Sequence, residues 1–152
     1  MAQTEQALYT IGVFQDLSWA ERGIDALRKQ GFGADVMTVL AKATPEAETF
    51  IERVLGGAPG QLDLPVLGPT VARGSLVQTL DGATKDLGRV GIAAAIRRAG
   101  FQPHDGLIFE TLAGRGGVLV AVEHAPRAAD ALAVLQSYGG GNAAIGAWSG
   151  RL

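Results

Sequence analysis

The sequence predicts an α+β fold, an antiparallel sheet of about four strands with helices packed on one face. Two observations predict it. Strand-like runs alternate with helix-period segments near both ends of the chain, and these two ends match at one constant offset. Without a gap, Ile11, Val13 and Phe14 fall on Leu119, Ala121 and Val122. Ala20, Ile24 and Leu27 fall on Ala128, Leu132 and Leu135, Gly31 on Gly139, and Met37 on Ile145. The residues are similar rather than identical, so the match is one of architecture.

Each element follows from local chemistry. Leu8–Phe14 is a β-branched and aromatic run, which predicts a strand. Ser18 with Glu21 reads as a capping box at a helix start. Ala20, Ile24 and Leu27 then share one helical face. Gly31 occupies the place of a left-handed helix stop, with Phe32 packing back on Leu27. Val36–Leu40 resumes as a strand. Thr44 is the expected N-cap of a helix over Pro45–Leu55, with Gly56 as its stop. Gly56–Gly68 is rich in proline and glycine and reads as a loop. Leu67–Leu80 has room for a strand. Asp81–Ala99 reads as a helix ending at Gly100-Phe101, and Pro103–Ala113 as a shorter helix before Gly116-Gly117. Val118–Glu123 is the next strand. Pro126 opens a helix that stops at Gly139, and a weak strand follows over Ala143–Trp148.

Two strand–helix–strand units, 8–40 and 116–148, in a single domain over 1–152 describe a ferredoxin-like sheet. Such a sheet leaves one face and two edges bare, and a homodimer through that face or an edge covers them.

Composition narrows the function. The chain has 152 residues, 47% hydrophobic and 18% charged, which is globular composition with length for one core. Its formal net charge is −2, so the basic surplus that drives nucleic-acid binding is missing. There is no cysteine, which removes disulfides, thiolate nucleophiles and cysteine-held zinc. Met1–Gln6 is polar and has no basic lead into an apolar run, so a cytoplasmic location is expected. No stretch reaches the roughly 20 apolar residues of a membrane span.

Three stretches, the opening strand with Ala20–Leu27 and Gly31-Phe32, Val66–Leu76, and Gly100–Pro103 through Gly116–Val122, carry a likeness: through them the chain resembles the small bacterial general stress protein domains of the heat-induced type. The sequence departs from that family's pattern in a less acidic helix before Gly116 and in Gly139–Gly141. The resemblance implies a compact α+β module linked to stress physiology, and it transfers no catalytic residue.

Candidate sites are few. His124 ends a strand before a helix and has Asp16 as its counterpart in the first unit. Packing about a pseudo-twofold axis would let this pair work together, the simpler alternative being two helix caps. Arg73 lies between Ala72 and Gly74 in an apolar segment, where a buried guanidinium needs an acid or an anion. His104, Asp105, Glu110 and Glu123 are chemically suited to a metal but lack ligand spacing. The glycines of Gly114–Gly117 precede a strand instead of following one, unlike a phosphate loop. Ser75 lacks the G-x-S-x-G frame of a nucleophile elbow. No spacing calls for a cofactor.

The expected function is a non-enzymatic, stress-associated binding or regulatory module acting through a protein partner or small ligand. The alternative is a small enzyme or ligand carrier, with His124, Asp16 and Arg73 in a cleft between the two units.

Overall fold

The computed structural model describes residues 9–81, 86–98, 103–123, 127–137 and 148–150. Strand β1 (Tyr9–Phe14) leads into α1 (Leu17–Lys29), a 3₁₀ turn (Ala34–Val36) and β2 (Met37–Lys42). Helix α2 (Pro45–Leu55), the hairpin β3 (Gly60–Leu64) and β4 (Gly68–Arg73), and helices α3 (Ser75–Asp81), α4 (Leu87–Arg98) and α5 (Pro103–Gly114) follow. The chain then forms β5 (Val118–Glu123), α6 (Ala128–Ser137) and the three-residue β6 (Trp148–Gly150). The fold is α+β. Its antiparallel sheet runs β3-β4-β2-β5-β1, with β6 added beside β1.

Several boundaries follow directly from side-chain chemistry. Thr44 caps α2, its hydroxyl accepting from the Ala47 amide at 3.0 Å, and Gly56 ends it at φ 78°. Gly31 adopts φ 97°, and the Phe32 amide donates back to Leu27 at 3.0 Å, so α1 ends in a Schellman turn with both apolar residues buried.

The start of α1 differs from the expected capping box. Asp16 is the cap, accepting from the Trp19 amide at 2.9 Å, while Glu21 pairs with Arg53 of α2 at 2.6 Å. The segment expected as a loop holds β3, whose Leu62 and Leu64 alternate with Gln61 and Asp63. Gly139–Gly141 and the proposed strand up to residue 147 lie outside the described residues.

The larger correction concerns the layers. Helices α1, α2 and α6 cover one face through Ile24, Leu27, Phe50, Ile51, Ala131 and Leu135. Helices α3, α4 and α5 cover the other through Leu76, Leu80, Ile92, Ile96, Phe109 and Ala113. The face that the sequence reading left for a homodimer is therefore filled by the chain's own middle segment. The physical reason is visible in β1, β2 and β5. Their residues are buried almost without alternation, as strands packed on both faces must be.

Candidate functional site

The β1–β5 register pairs Tyr9 with Glu123 at one end of the ladder. Tyr9 shares its face with Ile11 and Val13, and Glu123 shares its face with Leu119 and Ala121, so both turn toward the α3 layer. Helix α3 begins at this end, immediately after β4. Ser75 is its first residue and Thr79 stands one turn on, along the same helix face.

Four polar side chains meet there. The Ser75 hydroxyl donates to Glu123 Oε1 at 2.7 Å. The Tyr9 hydroxyl lies 2.8 Å from Ser75 Oγ and 3.3 Å from Thr79 Oγ1. Tyr9 is buried, whereas Ser75, Thr79 and Glu123 are half-buried and reach solvent. Among the described residues, the ion pairs join Arg53 to Glu21, Arg89 and Arg98 to Asp86, and Arg127 to Asp130, and none engages Glu123.

The approach of α3 to the sheet depends on one glycine. Gly74 has φ 133°, and a side chain there would sit 2.5 Å from the Thr38 Cα. That contact lets the buried Thr38 hydroxyl accept from the Leu76 amide at 3.1 Å. The consequence is chemical as well as structural. In a nucleophile elbow, the amide after the serine stabilises the oxyanion. Here that amide is already engaged by Thr38, so Ser75 lacks the donor an acyl-transfer nucleophile would use.

The sequence-derived candidates are distributed differently. Asp16 follows the Phe14 end of β1, the opposite end of the ladder from Glu123. Its carboxylate is engaged at the start of α1. Arg73 lies at the same end of the sheet as Glu123 but faces the α2 side with Val71. It is exposed and donates to the Ala58 carbonyl at 3.2 Å. His124 lies outside the described residues, as do the side chains of His104 and Asp105. Glu110 is buried at 7% exposure and accepts from the Ala93 amide at 3.3 Å. Among the described residues no three His, Cys, Asp or Glu side chains gather to hold a metal.

Two clefts open at the Asp16 end. One, of about 450 Å³, lies between α1 and α2 and is crossed by the Arg53–Glu21 pair. The other, of about 290 Å³, is lined mainly by apolar residues, with Lys42 and Thr44 at its polar wall. Lys42 Nζ donates to the Gly114 carbonyl at 3.2 Å and Thr44 caps α2, so both are committed to the fold. On the surface, a hydrogen bond from Arg89 is the main reason that Asp86 titrates below its ordinary value. Desolvation opposes that shift, and the charges of Arg89 and Arg98 reinforce it.

Sequence reading missed Tyr9, Ser75 and Thr79 because they are 66 and 70 residues apart across the Tyr9 contacts. The available signal was the hydroxyl pair Ser75 and Thr79 at helical spacing directly after Gly74.

Compared with protein-family models, curated proteins and solved structures, the chain matches none. No helix among the described residues is long and apolar enough to cross a membrane.

Proposed function

We propose that the chain is a non-enzymatic binding module that recognises a small ligand at the Tyr9–Ser75–Thr79–Glu123 cluster. The observation that carries this reading is a row of three hydroxyls ending in a half-buried carboxylate that no described Lys or Arg neutralises. A buried or half-buried charge is costly without a counter-charge, and a ligand is one way to supply it. Engagement of the Leu76 amide by Thr38 favours binding over covalent catalysis at Ser75.

Two further parts belong to the same reading. The strand order β6-β1-β5-β2, all antiparallel, supports a ferredoxin-like core into which α2 to α5 and the β3–β4 hairpin are inserted. The stress association rests on the sequence resemblance alone.

The test is a fragment screen by ¹H–¹⁵N correlation spectroscopy on the wild type and on Ser75→Ala. Fragments should shift the amides of Tyr9, Ser75, Thr79 and Glu123, and the variant should lose those shifts while keeping a dispersed spectrum. Hits that fall elsewhere, or that survive Ser75→Ala unchanged, would remove this assignment.

A further inference from the structure

The hydrogen-bond polarity of the cluster restricts what can enter it, and this step rests on the binding reading above. An ionised carboxylate only accepts, so the Ser75 proton must point at Glu123. Ser75 then has only lone pairs left, so the Tyr9 hydroxyl must donate to it. With the Tyr9 proton spent, Thr79 must be the donor in the Thr79–Tyr9 contact. One negative charge therefore orients the whole row, Thr79 to Tyr9 to Ser75 to Glu123. Each bond polarises the next and strengthens the arrangement.

Every hydroxyl proton is consumed inside the row. What remains toward solvent is a set of acceptors, namely the free lone pairs of Glu123, Ser75 and Thr79, together with one negative charge. Anionic ligands such as phosphates or carboxylates would meet the charge of Glu123, and no hydroxyl proton is left in the row to receive them. Neutral alcohols could donate one bond but would leave the charge uncompensated. A primary ammonium brings three donors and the opposite charge. The chain's net charge of −2 draws such cations in the same direction. We infer that the cluster is a recognition site for the protonated primary amine of a small molecule.

The experiment compares n-butylamine and 1,4-diaminobutane with n-butanol and sodium butyrate, at fixed pH and ionic strength, against the wild type, Glu123→Gln and Ser75→Ala. Amide shifts at Tyr9, Ser75, Thr79 and Glu123 supply the binding curves. Amines should bind there, and Glu123→Gln should weaken them by about tenfold to a hundredfold, as expected for losing a charge-assisted bond. That variant keeps shape and hydrogen-bonding capacity, and its dispersed spectrum separates lost binding from lost folding. If butanol or butyrate shifts these amides while the amines do not, the ammonium assignment is overturned and the recognition site stands. If no probe shifts them, or if the amine curves are unchanged in both variants, the ammonium assignment and the site fall together.

Discussion

At the scale of single residues, the site is assembled by groups that never face a ligand. Thr38 is 1% exposed and sits in the centre of the sheet, yet its hydroxyl fixes the first turn of α3 by taking the Leu76 amide. Gly74 makes the approach possible, since any side chain there would collide with the Thr38 backbone. This predicts the outcome of Thr38→Val, which keeps the shape and removes the acceptor. A buried amide left without a partner costs about 1–3 kcal/mol, so the urea midpoint should fall with the slope unchanged. Because Ser75 and Thr79 ride on the same helix, their amide signals should shift as well. A variant with the wild-type midpoint would show that the Leu76 amide needs no acceptor from Thr38.

At the scale of elements, α4 and α5 illustrate why a buried acid need not be a site. Gly91 breaks the helical path of α4 at φ 91°, which exposes fresh amides at the start of its second half. Glu110 of α5 reaches across to the Ala93 amide, and its carboxylate lies where a Gly91 side chain would be, 2.7 Å from that position. The acid acts as a helix cap supplied by a neighbouring helix. Glu110→Ala should therefore destabilise the protein by about 1–3 kcal/mol in chemical denaturation, and Glu110→Gln, which keeps an acceptor, by less. Equal losses in the two variants would contradict the capping role. Elements of this kind also mark the boundary of what was legible. The spacing of Ala20, Ile24 and Leu27, the Gly31-Phe32 stop and the Thr44 cap were readable because each signal is local. Strand β3 was missed because its glycine and proline neighbours outweighed the alternation of Gln61, Leu62, Asp63 and Leu64. The polar cluster was not readable, since β1, α3 and β5 supply it from distant parts of the chain. The role of Glu110 was equally hidden, because nothing local links it to a break at Gly91.

At the scale of the whole molecule, one sheet holds two helical layers, and β5 is the element on which both depend. Val118, Val120 and Val122 face the layer of α1, α2 and α6. Leu119 and Ala121 face the layer of α3, α4 and α5. The uninterrupted apolar run Val118–Val122 was in the sequence, and it argues for two covered faces, because a strand with one wet face alternates. Neither layer has a core of its own apart from this sheet, so damage to one should be felt by the other. Leu119→Ala removes side-chain volume from the α3 side only, and should cost about 2–5 kcal/mol. The transition should nevertheless stay single: in a Trp148→Phe background Trp19, packed against the opposite core, should report by fluorescence the same midpoint as far-UV circular dichroism. Two separated transitions in Leu119→Ala would mean that the layers unfold independently. Coincident ones would mean that the two layers and the sheet between them unfold as one cooperative unit.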